Sequence, residues 1–418
     1  MGALRPARLV PAIALLCAGL AAATGSCGQQ RLPAVTTGTG GHGGAGGDDT
    51  IDPGDTGGPP DLDAGGLCGN QIHPITIDAP NLYFVLDTSG SMSQDTGAGT
   101  RYGRVHAAVT DLVQRLGPLI NVGAALFPVG ATNGNGCALG AQVFPVTPGG
   151  VLTSKSFAQA TDVKPSGGTP TALTLKALYP TLTALTGKTI VVLATDGGPN
   201  CNPAAKCDAS ECIPNIESAC DGQGHCCTPD GPNCCTVDGV GTPAQCLDRK
   251  AAIDAVTALQ QAGILVYVIG VSGSQIYQKV LGDMALAGGA PQLAPPFYYK
   301  VDDFDDLGTV LGSIAGAAIP CELTLAPGRA EAFSGGHDYD FAPLDADSGS
   351  GIADLTNVYF DQTVVPYDPV DGWSWTKPPG DGSEPAVITL HGDACAELRS
   401  GQVSQVQIVS GCPTEAPK

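Results

Sequence analysis

Aromatic side chains are scarce, at 5% of 418 residues. That leaves too few stacking rings for a surface that binds carbohydrate or nucleobases. Cations are scarce as well. Nineteen Lys and Arg face 40 Asp and Glu, a formal charge of −21, which argues against nucleic acid or anionic lipid headgroups as the main partner, since both need a basic surface. No apolar stretch reaches the ~20 residues that span a bilayer as a helix. Signatures of catalysis are missing too: there is no Gly-x-Ser-x-Gly elbow, no His-Glu-x-x-His and no P-loop lysine motif. What the chain has in quantity is glycine (59), proline (34) and cysteine (16), with 43% hydrophobic residues. That hydrophobic content is ample for a core, and so many cysteines indicate an oxidising compartment.

Residues 1–27 read as an export signal, in which Arg5 and Arg8 precede an apolar run at 9–23. The end of this segment, Thr24-Gly25-Ser26-Cys27, resembles a bacterial lipobox, with Thr24 standing where leucine is preferred. The expectation is a lipoprotein anchored through Cys27; an ordinary cleaved signal is the alternative. Residues 28–67 form a linker with 13 glycines, several aspartates and no apolar periodicity, a composition that cannot offset the entropy of ordering.

Beyond residue 68 the pattern changes. Continuous apolar runs at 82–86, 122–127, 190–194 and 265–269 suit strands buried on both faces. Helical spacing appears at Val105, Ala108, Val109, Leu112, Val113 and Leu116, and again at Ala252, Ala255, Val256 and Leu259. Further helices are expected at 171–185, kinked or ended by Pro180, and at 303–318. Alternation of this kind predicts a doubly wound α/β fold on a mostly parallel sheet. The expected domain covers 68–319, interrupted by a cysteine-rich insertion at 200–247. Residues 320–418 read as a small β-rich domain, with strand-like runs at 358–360, 373–375, 387–390 and 403–409 and a short helix at 393–399.

One oxygen-rich loop runs off the first expected strand, and two more follow strand–helix junctions. The first is Asp87-Thr88-Ser89-Gly90-Ser91-Met92, the second Ser166-Gly167-Gly168-Thr169-Pro170-Thr171, the third Thr195-Asp196-Gly197-Gly198. Hard oxygen donors suit Mg²⁺ or Mn²⁺ rather than zinc, and in a parallel sheet such loops meet at the carboxyl edge. Thr171 reads as the cap of its helix and not as a ligand. In this order the motifs resemble the metal-ion-dependent adhesion site of von Willebrand factor A-type (VWA) domains, of the bacterial secreted and lipoprotein kind. The resemblance implies that Ser89, Ser91 and Thr169 bind the metal directly and Asp87 and Asp196 partly through water. One coordination position then stays open for an acidic group of a partner. The implied function is that of a non-enzymatic surface or envelope protein capturing a protein or acidic ligand, with a membrane link only through the lipid anchor. A structural or assembly part whose metal serves stability is the alternative.

The insertion holds nine cysteines: Cys201, Cys207, Cys212, Cys220, Cys226, Cys227, Cys234, Cys235 and Cys246. They lack the spaced pairs of zinc sites, so disulfides are expected. Because nine is odd, one bond should leave the insertion, and Cys137, in the loop after residues 122–127, is the natural partner of Cys201. Cys68, Cys321, Cys395 and Cys412 remain to pair among themselves. Asp345, Asp347 and Asp354 hint at a calcium loop, but Thr356 stands where an EF-hand needs Glu, so they read as a solvated acidic loop.

Overall fold

The computed structural model describes residues 71–418 except 74, 131–135, 222, 237–239, 326–329, 333–337, 340–354, 379–384, 404, 411–413 and 415–418. The expected signal and linker, with Cys27, Cys68, Cys412 and the aspartates at 345, 347 and 354, lie outside the described residues.

After β1 (Gln71–His73) and β2 (Ile75–Thr76) come β3 (Asn81–Asp87), α1 (Arg101–Leu116), β4 (Asn121–Phe127), β5 (Ala141–Pro148) and α2 (Val151–Thr161). The chain continues through α3 (Thr171–Thr183), β6 (Thr189–Thr195), the short α4 (Ile213–Ile216) in the insertion, and α5 (Arg249–Gln261). Then follow β7 (Leu265–Val271), α6 (Gln278–Ala287), β8 (Tyr299–Val301) and α7 (Leu307–Ala318).

The central sheet has the order β5-β4-β3-β6-β7-β8, parallel throughout except that β5 runs antiparallel to β4. It is a doubly wound sheet with helices on both faces. Every side chain of β3 is buried, and the period of two divides them between the layers. Leu82, Phe84 and Leu86 pack in the cluster that contains α1 and α7. Tyr83 and Val85 join the opposite cluster with α3, α5 and α6. Register carries this order to the functional edge: Asn81 pairs with both Asn121 and Thr189, so Asp87 emerges beside Phe127 at the carboxyl end. Helix α3 runs past Pro180 to Thr183 instead of ending there. Pro180 lies on the exposed side, and buried Leu178 and Leu182 hold the turn that the proline weakens.

The remaining strands are β9 (Glu322–Leu325), β10 (Ala330–Ala332), β11 (Asp338–Tyr339), β12 (Thr356–Phe360), β13 (Thr363–Val365), β14 (Trp373–Lys377), β15 (Val387–Leu390) and β16 (Val406–Ser410), with α8 (Gly392–Ser400) before the last. They form two antiparallel sheets, β11-β10-β1-β16-β12-β13 and β14-β15-β9-β2. The sequence reading placed residues 68–80 with the α/β domain. In the structure β1 pairs with β16 and β10, and β2 with β9, so the β-rich part draws on both ends of the described chain. Its buried Leu323, Val358, Trp373 and Ile388 share one apolar cluster with Leu82 and Phe84, which makes the two parts continuous in packing. Among the described residues no helix is long and apolar enough to cross a membrane.

Candidate metal centre

The first two loops are stitched to each other and to the end of β4 by backbone hydrogen bonds before any side chain is considered. Thr88 N donates to Phe127 O at 2.7 Å, Ser166 N to Thr88 O at 2.8 Å and Gly90 N to Gly167 O at 2.8 Å. These bonds satisfy chain leaving the strand ends, which would otherwise be buried unpaired. Within the first loop Ser89 N donates to Asp87 Oδ1 at 2.8 Å, and the Ser89 and Ser91 hydroxyls lie 3.2 Å apart. Ser91 Oγ then donates to Asp196 Oδ1 at 2.7 Å, joining the first loop to the third. A methyl group placed on Gly197 would lie 3.5 Å from Thr169 Oγ1 and 3.8 Å from Ser91 Oγ, so the threonine hydroxyl faces the same space. Asp87, Ser89, Ser91, Thr169 and Asp196 are therefore brought together. Of the five only Ser91 is exposed.

Two carboxylates in so buried a place repel one another. Burial first, and then the negative charge of Asp196, push the Asp87 carboxyl up to about 7, against the lowering effect of bonds from Thr195 and Ser89. Burial also raises Asp196, opposed by its bonds from Ser91 and Arg101. Carboxylates that resist ionisation beside clustered neutral hydroxyls are a donor set that fits a small hard divalent cation, whose charge would reverse this penalty. The residues present fit Mg²⁺ or Mn²⁺.

Three further side chains contribute, and only Thr195 among them lies within a motif. Thr195 Oγ1 donates to Asp87 Oδ2 at 2.5 Å and accepts from Gly197 N at 3.1 Å. Its only sequence signal is its place just before Asp196. Arg101 Nη1 donates to Asp196 Oδ2 at 2.5 Å. Asn200 forms a reciprocal pair with Thr169, accepting from Thr169 N at 2.7 Å through Oδ1 and donating to Thr169 O at 2.8 Å. Thr171 does not cap α3. Pro170 occupies the cap position, Thr171 N donates to Thr169 O at 2.8 Å, and its buried hydroxyl has no hydrogen-bond partner among the described residues.

The insertion starts at this site. Cys137 is bonded to Cys201, and the bridge lies against the second loop: a Cβ on Gly168 would sit 2.6 Å from Cys201 Sγ and 3.5 Å from Cys137 Sγ. Glycine is therefore needed at 168 for close approach. Within the insertion Cys207 is bonded to Cys246, Cys212 to Cys235, Cys220 to Cys226 and Cys227 to Cys234. The sulfurs of Cys207, Cys235 and Cys246 lie within 4.8 Å of one another, but all are in disulfides and so are not zinc ligands. The insertion is fastened to the carboxyl edge again where the Tyr277 hydroxyl, ahead of α6, donates to Glu217 Oε1 at 2.6 Å. Its two ends meet, since Asp248 N donates to Pro199 O at 2.7 Å and Asn202 Nδ2 to Asp248 Oδ1 at 3.0 Å. Outside it, Cys321 is bonded to Cys395.

Neither a protein-family profile nor a curated protein matches the sequence. Among solved structures the chain is similar to the pilus adhesin SpaC of Lactobacillus rhamnosus GG, with 17% identity and a TM-score of 0.43. That likeness covers 80% of this chain and 39% of the adhesin, so the chain spans about two fifths of its length. It is similar to the vWF domain of the type V pili tip protein Mfa5 from Porphyromonas gingivalis, with 12% identity, a TM-score of 0.38, and coverage of 58% and 95% of the two chains. A third is the proximal thread matrix protein 1 of the mussel byssus with a zinc-occupied MIDAS motif, at 14% identity, a TM-score of 0.33, and coverage of 58% and 47%. At these identities the likeness concerns the fold and not the ligand.

Proposed function

We propose that this protein is an exported, surface-directed binding module, not an enzyme, that captures a protein or other acidic ligand through a divalent cation. The observation that carries the reading is the convergence of two buried carboxylates and three hydroxyls from separate loops on one small site at the carboxyl edge. When bound, Mg²⁺ or Mn²⁺ supplies a point charge able to accept a carboxylate oxygen from a partner. The chain's own residues define how. Ser89, Ser91 and Thr169 offer uncharged oxygens, while Asp87 and Asp196 provide the anionic charge that retains the cation. Backbone bonds between the first two loops and the Ser91 bond to Asp196 keep the donors in place without ligand. Six disulfides among the described residues support an oxidising location, in line with anchoring through Cys27.

Asp87→Ala should abolish Mg²⁺ binding in calorimetry and leave the circular dichroism of the fold unchanged. Equal affinity in wild type and variant defeats the assignment. Capture from envelope and extracellular fractions should be lost in EDTA and restored by Mg²⁺. Cys27→Ser should move the protein to the soluble fraction and remove the acyl mass. We further propose that the insertion selects the partner, because rigid loops around a fixed site are where recognition is usually varied. Since Asn200 and Cys201 brace the Thr169 loop and the ends of the insertion meet, a short Gly-Ser loop in place of 203–246 tests this. Mg²⁺ binding should persist while ligand capture is lost; undiminished capture would reduce the insertion to a stabilising cap.

A further inference from the structure

Arg101 opens α1, and nothing in its local sequence marks it out. Its guanidinium crosses to the third loop, where Nη1 donates to Asp196 Oδ2 at 2.5 Å, and its side chain is only 13% exposed. A pair so placed is screened by salt much less than a surface pair. Asp196 is thereby divided between two donors, Oδ1 taking the Ser91 hydroxyl and Oδ2 the guanidinium. Two features fix the arginine. Its backbone N donates to Gln94 O at 3.0 Å, tying the start of α1 to the end of the first loop. Gly273, in the loop after β7, forms the floor beneath the guanidinium. Its φ is +109°, and an added Cβ would lie 2.5 Å from Nη1, 2.7 Å from Cζ and 2.8 Å from Nη2. Glycine is the residue that tolerates both that backbone and that approach.

We propose that Arg101 is a positioning residue of the metal site, holding Asp196 Oδ2 away from the cation and lowering the affinity with which the cation is kept. The inference rests on the metal-binding reading above. Two carboxylates and one guanidinium leave a formal charge of −1 at the site; without the guanidinium it is −2, and Asp196 Oδ2 is free to turn inward. Both changes strengthen the hold on a divalent ion. The guanidinium therefore keeps the site less neutralised, and a cation held by few negative charges retains more attraction for an incoming carboxylate.

Mg²⁺ alone, titrated calorimetrically into the full mature protein, tests this with wild type, Asp87→Ala, Arg101→Met, Arg101→Gln and Arg101→Lys. Removing a unit charge this close should tighten Mg²⁺ binding by ~10-fold or more in Arg101→Met and Arg101→Gln. Arg101→Lys, which keeps the charge, should stay within ~3-fold of wild type. A second readout is thermal unfolding: in EDTA both neutral variants should melt below wild type, because Asp196 loses its charged partner, and Mg²⁺ should close that gap. Should Arg101→Met fail to fold, Arg101→Gln, which retains a donor for Asp196, decides. Wild-type or weaker Mg²⁺ affinity in the neutral variants, with binding lost in Asp87→Ala, overturns the role of Arg101 and leaves the metal site standing. No binding by wild type overturns both.

Discussion

Strand β3 buries every one of its side chains between two helical layers, whereas the insertion buries mainly sulfur. Among its described residues from 201 to 246, five of the eight buried apolar side chains are cysteines, the others being Ile213, Pro214 and Ala244. Its small core is built on Cys212, Cys235 and Cys246. Its one deeply buried amide, Asn215, is fully bonded: Nδ2 donates to Thr228 O and Pro232 O, and Oδ1 accepts from Cys234 N. Two routes to a fixed shape are thus joined in one molecule. A sheet with helices on both faces orders its chain by removing apolar area from water. A stretch too poor in apolar residues orders itself by covalent links that restrict the unfolded chain. The candidate metal centre uses both, since Asp87, Ser89 and Ser91 hang from β3 while Thr169 is braced by Asn200 and Cys201 at the foot of the insertion.

The contrast is sharpened most by emptying the sheet's core. Phe84 packs edge-on against Phe157, 5.9 Å between ring centres, and Phe84→Ala should cost about 3–5 kcal/mol in urea unfolding. A loss under ~1 kcal/mol would show that burial is not what holds this half. Next comes the bridge between the halves. Cys137→Ser with Cys201→Ser opens a link across 64 residues, worth up to about 4 kcal/mol by chain entropy. It should also weaken Mg²⁺ binding, because Gly168 loses its packing partner; unchanged affinity would separate the Thr169 loop from the insertion.

A smaller effect is set by pH. Asp87 stands at about 7 in the fold, above its unfolded value, so its contribution to stability is fully present below the ordinary carboxylate range. That contribution is lost as pH rises through about 7. Metal-free wild type should therefore lose stability between about pH 4 and about pH 7, from the ordinary carboxylate value to the raised one, relative to Asp87→Asn, and Mg²⁺ should remove the loss. Parallel melting curves for the two proteins in EDTA would contradict this. The smallest change is expected from Cys220→Ser with Cys226→Ser. That pair closes six residues on an exposed tip, so its removal should cost at most about 2 kcal/mol. Faster hydrogen exchange should be confined to the tip, with Mg²⁺ affinity unmoved.

Strands β3, β4, β6 and β7 were legible because strands buried on both faces read as continuous apolar runs. The elements that escaped were those with mixed surroundings. Strand β5 is an edge strand, nowhere buried and carrying Pro145 and Pro148. Helix α2 exposes Val151 and Leu152 while burying Phe157, which blurs its period. Helix α6 has Gly282 at its centre, where the chain approaches Pro296 O. In the site, Asp87, Ser89, Ser91, Thr169 and Asp196 could be picked out because each follows a recognisable strand or opens a helix. Arg101 and Asn200 could not, since neither belongs to a motif and each acts on a loop distant in sequence.

By itself the sequence determined that oxygen donors follow two apolar strands and precede a helix, and that nine of the cysteines belong to an oxidised insertion. Parallel strands of like length place the loops that follow them on one edge, so local pattern is enough for that much. Only the tertiary structure decided that β1 and β2 join the sheets of the far end and that Arg101 takes one oxygen of Asp196. Those contacts join residues tens to hundreds of positions apart. Their partners are chosen by packing and register, which no short stretch of chain encodes.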